Sequence, residues 1–169
     1  MAGTDLQTLA LQVLAKAEEI LATTSNGPPA FAYVTHGPPV LDCCNQLAVN
    51  VAAIGQEASV AVEPGQAAKI GRINLTTMNV TQTRCWPAGL TPTRPPWTSE
   101  QQAAAAGLNE DGWALWCGLY WAVRTGALMQ ACDHVFFDGL VPIEPQGGCV
   151  GWLISIRFEL GGYNPLGGS

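Results

Sequence analysis

Six cysteines, at positions 43, 44, 85, 117, 132 and 149, are the most reactive side chains in this 169-residue sequence. A thiolate can ligate a metal or attack an electrophile. No Cys-x-x-Cys spacing occurs, and the adjacent Cys43 and Cys44 are poorly placed to hold one tetrahedral ion together. No metal site is expected, and the cysteines read as small buried hydrophobes. The run Gly147-Gly148-Cys149-Val150-Gly151 has the G-x-nucleophile-x-G spacing of a nucleophile elbow. That elbow needs a strand before the nucleophile, a helix after it and a histidine further along the chain. Here a strand pattern follows Cys149, and both histidines, His36 and His134, precede it. The run therefore reads as a glycine turn into the last strand. His36, Asp42 and Cys43 can be assembled into a base, an orienting group and a thiol. No second signature accompanies them, so they read as loop and core residues, and His134 as a structural residue opening an apolar strand. No G-x-G-x-x-G, Walker A, H-E-x-x-H or EF-hand pattern occurs, and no cofactor is expected. The catalytic alternative is a small cytoplasmic thiol-dependent enzyme using Cys43, Cys44 or Cys149; the main expectation is a protein that is not an enzyme.

The elements that must position these residues follow from hydrophobic periodicity. Leu6, Leu9, Ala10, Val13, Leu14, Ala17, Ile20 and Leu21 form an apolar helical stripe, with a capping-box start at Thr4-x-x-Gln7 and a stop at Asn26-Gly27-Pro28-Pro29. Ala30–Thr35 and Gln46–Ile54 read as strands. Ile70–Arg84, rich in Thr, Val, Ile and Asn, reads as one long strand or a strand with a bulge. Pro87–Pro96 is a loop, and Thr98-Ser99-Glu100-Gln101 opens a helix running to about Met129, with an interruption expected between Gly107 and Gly112. Its second part, from Trp113 to Val123, is apolar nearly all round and is expected to be buried on most sides. His134–Phe137 is a short strand, Val141–Gly148 a turn-rich connection, and Val150–Leu160 alternates strictly as a strand. Residues 161–169 read as a flexible tail of a single domain spanning 1–169. The order α-β-β-β-α-β-β predicts an α+β fold, with a mixed or antiparallel sheet carrying the N-terminal helix and a second long buried helix on one face.

Composition narrows the function classes. Charged residues make up 12% of the chain, against roughly 25% in ordinary globular proteins. Seven Lys/Arg against thirteen Asp/Glu exclude a basic nucleic-acid surface. With 48% hydrophobic residues the chain is not disordered. The apolar N-terminal stretch is broken by Asp5, Lys16, Glu18 and Glu19, so no membrane span is expected, and it lacks the basic start of a secretory signal. A surface this poor in charge fits a subunit that buries faces against copies of itself. Trp86 and Trp97, which bracket the proline-rich loop, lean towards an interface, whereas Trp113, Trp116 and Trp121 lean towards the core. Asn74 and Thr76, on the polar strand, are a further guess at a neutral interface surface.

Three stretches together carry a resemblance. They are Gly37-Pro38-Pro39-Val40-Leu41-Asp42-Cys43-Cys44-Asn45-Gln46-Leu47, the strand end Arg84-Cys85-Trp86-Pro87, and Glu144-Pro145-Gln146-Gly147-Gly148-Cys149-Val150-Gly151-Trp152. The chain resembles the neck or tail-completion proteins of siphophages that infect actinobacteria, and most of all their tail terminators. The resemblance implies a small α+β subunit of a virion, made in the host cytoplasm, that forms a homo-oligomeric, hexameric ring. Such a ring caps the major tail tube protein and joins it to the head-tail stopper or connector. Genomic DNA passes through the channel without specific binding, and no membrane is involved. Glu57 and Glu63, in the connection between two strands, are a guess at channel-lining acids. The neighbouring neck proteins stay open as alternatives: a stopper would be mostly a small β-barrel, an adaptor mostly helical. One or two disulfides forming after particle release also stay open.

Overall fold

The computed structural model describes residues 6–41, 45–61, 69–87, 97–128, 134–146 and 148–159, with the backbone alone at 56–61, 69–74 and 146. The first apolar stripe forms α1 (Leu6–Leu21), and Leu9, Ala10, Val13, Leu14, Ala17 and Leu21 are its buried positions. The expected capping box at Thr4 and the expected flexible tail at 161–169 lie outside the described residues. Next come β1 (Phe31–His36), β2 (Gln46–Ala61), β3 (Lys69–Cys85), α2 (Thr98–Arg124), β4 (His134–Gln146) and β5 (Cys149–Glu159). The strands form one mixed sheet in the order β1-β2-β3-β5-β4, with β1 parallel to β2 and every other pair antiparallel. The α+β class expected from the periodicities is the class the chain adopts.

Alternation decides which side of the sheet meets the helices. Leu47 and Val49 of β2, Val80 and Met78 of β3, and Ile154, Ile156 and Phe158 of β5 fall on one side of the register. All of them are buried in one cluster with the α1 stripe and with Leu115 and Leu119 of α2. Helix α1 lies over β1 and β2, and α2 over β4 and β5. The link between parallel neighbours β1 and β2 is short for a crossover, which usually takes a dozen or more residues and a helix. Leu47 faces the helices, so Gln46 faces away, and its amide donates to the Val40 carbonyl at 3.1 Å. The Val40 carbonyl therefore meets the sheet on the face opposite the helices.

Several local expectations are corrected. Helix α2 runs unbroken from Thr98 to Arg124. Its glycines are sites of close packing: a Cβ on Gly112 would lie 2.6 Å from the Trp152 ring, and one on Gly118 would lie 2.6 Å from the tip of Ile20. The N-cap is Trp97, not Thr98, and the Glu100 carboxylate accepts its backbone N–H at 3.3 Å. The second half of α2 is buried on most sides, as expected, through Leu115, Leu119, Ala122 and Val123, but Trp113 and Trp121 stay exposed at 66% and 63% and do not join the core. The expected turn at Val141–Gly148 is largely strand, because β4 continues to Gln146 through two register shifts. Pro142 and Pro145 are tolerated there because β4 is an edge strand, where a missing N–H leaves no ladder bond unmade. Of the two readings of the third strand, β3 is one long strand, and the register shift lies in β2, between Val51 and Ala53.

Beyond the sheet, β2 and β3 continue as a two-stranded ribbon, paired from Gln56↔Asn74 to Ala61↔Lys69. Among the described residues, pairing with β5 runs no further than Leu75↔Glu159. At about 3.3 Å per residue the ribbon extends roughly 17 Å.

The two close-packed glycines predict different outcomes. Gly112→Ala must displace an indole whose Nε1 donates to the Leu108 carbonyl at 2.7 Å, and is expected to cost about 1–3 kcal/mol. Gly118→Ala need only turn the end of Ile20 and gains helix propensity, so its net change should stay within about 1 kcal/mol. Urea unfolding of the two variants should separate them.

Candidate functional site

Two features stand out from the scaffold: a buried polar hub between the helices and the sheet, and apolar groups left on the surface. The hub is built on Asp111, which is fully buried on α2. Its Oδ1 accepts the Thr24 hydroxyl at 2.6 Å. Its Oδ2 accepts Asn26 Nδ2 at 3.0 Å, Gln82 Nε2 at 3.1 Å and Arg84 Nε at 2.8 Å. Four donors on one carboxylate fill its acceptor capacity. Arg84 donates further to the Gly27 carbonyl at 2.6 Å and to Asn45 Oδ1. Gly27 and Asn45 both have positive φ, 68° and 63°, which Gly adopts freely and Asn more readily than most residues. The hub thus ties the exit of α1, the entry of β2, the end of β3 and the middle of α2 together. Its acceptors are engaged at Asp111 by four donors, one of them the Arg84 guanidinium. Gln82 Oε1, Thr76 Oγ1, Asn50 Oδ1 and Thr83 Oγ1 are buried without a hydrogen-bond partner among the described residues.

A cleft of about 310 Å³ opens beside the hub, lined by Asn26, Asn45, Arg84, Cys85, Trp86 and Val150 among others. A second, of about 470 Å³, lies between α2 and the β4 edge. Its walls are Trp116, Tyr120, Val135, Phe136 and Phe137, with Asp138 and Arg157 at the polar end. Arg157 Nη2 pairs with Asp138 at 2.8 Å, and its guanidinium sits 5.7 Å from the centre of the Phe136 ring. Trp116 turns inward and meets Phe137 edge-on at 5.4 Å, whereas Trp113 and Trp121 point outward.

The exposed apolar groups fall into two sets on opposite halves of the sheet. On the β4–α2 half they are Trp113, Tyr120, Trp121, Phe136 and Val141. On the β1–β2 half they are Phe31, Val40 and Ile54, with Leu11 on α1 above. By register Phe136 and Val141 stand on the sheet face away from the helices, so exposed apolar groups occur on both faces of the sheet.

The residues singled out from the sequence are scattered over this framework. Trp97 is exposed at the start of α2. Trp86 is half-buried at the first cleft, its backbone N–H donating to the Gly148 carbonyl at 2.7 Å. Thr76 is fully buried opposite Phe158, on the side of the sheet that meets the helices. Its assignment to an interface surface is therefore corrected: the chain's own fold covers it. Asn74 stands in β3 opposite Gln56, in the ribbon. Glu57 lies in β2, opposite Ile73, and not in a connection between strands; Glu63 lies outside the described residues. His36 ends β1, and Asp42, Cys43 and Cys44 lie outside the described residues. Cys149 is 2% exposed and opens β5 after Gly148, whose φ of 81° makes the turn.

Sequence reading missed the hub and the outward tryptophans. The signals available were an acid, Asp111, set into an apolar helix, and an arginine at the end of an otherwise neutral strand. Among the described residues no cluster of His, Cys, Asp or Glu could hold a metal ion, and no helix is long and apolar enough to cross a membrane. No protein-family model and no curated protein matches the chain.

Proposed function

We propose that this protein is a structural ring subunit of a phage neck, of the tail-terminator kind, which caps the tail tube and joins it to the head connector around the DNA channel. The observation that carries the reading is the pair of exposed apolar sets on opposite halves of the sheet. Two different sticky faces on one subunit associate head to tail, and a head-to-tail contact closes into a ring when its rotation allows. The ribbon of β2 and β3 adds support, because a two-stranded hairpin is marginal alone and gains from a neighbour. Two helices on an open five-stranded sheet also suit a terminator better than a β-barrel stopper or a mostly helical adaptor. The subunit works by shape and self-association, without turnover. With so few cations, the ring lets DNA slide past without holding it.

Light scattering of the purified chain, alone and with tail tubes, is expected to show a closed oligomer. Trp113→Glu should shift it to monomer while leaving monomer stability within about 0.5 kcal/mol, since the side chain is 66% exposed. Absence of the protein from purified virions, or a strictly monomeric state with and without tail tubes, would sink the proposal.

A further inference from the structure

Cys85 closes β3 and Cys149 opens β5, and the register sets them directly opposite each other. The Trp86 N–H donates to the Gly148 carbonyl at 2.7 Å, so Trp86 and Gly148 form a hydrogen-bonded pair of the antiparallel ladder. Such pairs alternate with non-hydrogen-bonded ones, and Cys85–Cys149 is the next pair along. At that position facing Cα atoms are about 4.5 Å apart and side chains are closest. Disulfides span Cα separations of about 4.4–6.8 Å, so the pair needs no rearrangement of the strands to be bridged. Both residues are thiols in this structure, Cys85 exposed and Cys149 2% exposed.

We propose that Cys85 and Cys149 form a cross-strand disulfide when the protein meets a small-molecule disulfide such as oxidised glutathione. The difference in exposure orders the steps. Cys85, the exposed member of the pair, is the thiol the oxidant can reach. It gives its proton to water, and its thiolate attacks one sulfur of the oxidant, breaking that S–S bond and releasing one glutathione thiolate. Cys149, deprotonated in turn, attacks Cys85 Sγ, forms the protein disulfide and releases the second glutathione. Two protein thiols are oxidised and one glutathione disulfide is reduced to two thiols. The bond closes the chain from 85 to 149, which carries α2 and β4, and a loop that long gives a cross-link a large entropic effect on the unfolded state. The inference rests on strand register alone and does not depend on the neck assignment.

The test oxidises the folded, full-length chain with glutathione disulfide, alkylates the remaining thiols and maps linked peptides by mass spectrometry after chymotryptic digestion. A Cys85–Cys149 link should dominate. The thermal unfolding midpoint should rise by several degrees, on the order of 5–10 °C. Dithiothreitol should reverse the shift, and Cys85→Ser, a change at an exposed position, should abolish it. A glutathione adduct persisting on Cys85, a link from Cys85 to another cysteine, or full alkylation of both thiols after oxidation would each overturn the proposal. Mapping the unsubstituted chain keeps the outcome independent of whether any variant folds.

Discussion

Asp111→Ala should lower the stability of the fold by about 3–5 kcal/mol, the range expected when one partner of a buried ion pair is removed. The substitution strands Arg84, whose side chain is only 11% exposed, with its guanidinium held between Gly27 and Asn45. It also leaves the Thr24 hydroxyl and the Asn26 and Gln82 amides without their common acceptor. Thermal unfolding should show the loss as a midpoint lowered by roughly 6–20 °C, at about 2–4 °C per kcal/mol for a chain of this size. A double change, Asp111→Leu with Arg84→Met, should recover part of it, because an apolar pair removes both desolvated charges together. Should Asp111→Ala unfold at the wild-type midpoint, the hub would not be the tie between helices and sheet described above.

Gly151→Ala is expected to be of comparable severity, about 3 kcal/mol or more, at or beyond the upper end of overpacking effects. Gly151 lies opposite Thr83, where β5 runs between β3 and β4. A Cβ there would sit 1.8 Å from the Gln82 carbonyl oxygen and 2.9 Å from Thr83 Cα. Both are backbone atoms of an interior strand, so no side-chain rotation relieves the clash and the strands must part. Parting them moves Gln82 and Arg84, two donors to Asp111. Gly151→Ala and Asp111→Ala should therefore be non-additive when combined, as expected of residues sharing one network. Denaturant unfolding of the single and double variants measures this, and strict additivity would show that the strand contact and the hub are independent.

These two positions show what was and was not legible beforehand. Gly151 belongs to a run read correctly as a glycine turn entering the last strand, but its requirement for glycine comes from Gln82, far away in the chain. Asp111 sits in a helix whose existence and burial were both evident, but nothing local marks the acid as fully buried. An apolar run from Trp113 to Val123 cannot say which tryptophan turns inward. Trp116 does so because Phe137 of β4 stands beneath it, while Trp113 and Trp121 stay largely exposed among the described residues. The extent of β4 was missed for a related reason. Pro142 and Pro145 look like turn residues, and only the position of β4 at the sheet edge lets a strand contain them. Thr76 misled in the opposite direction, since a threonine in a polar-looking strand gives no local sign that it is fully buried.

What the sequence by itself determined is local and compositional. The stripe of α1, the alternation of β5, the order of the seven elements and the shortage of charge all follow from periodicity and counting, because each depends on residues a few positions apart. The tertiary structure alone decided three things: that Asp111 and Arg84 meet, that Cys85 faces Cys149, and that apolar side chains remain exposed on two opposite halves of the sheet. Each depends on pairing between segments distant in the chain, where strand order and register choose the partners and no local pattern records the choice.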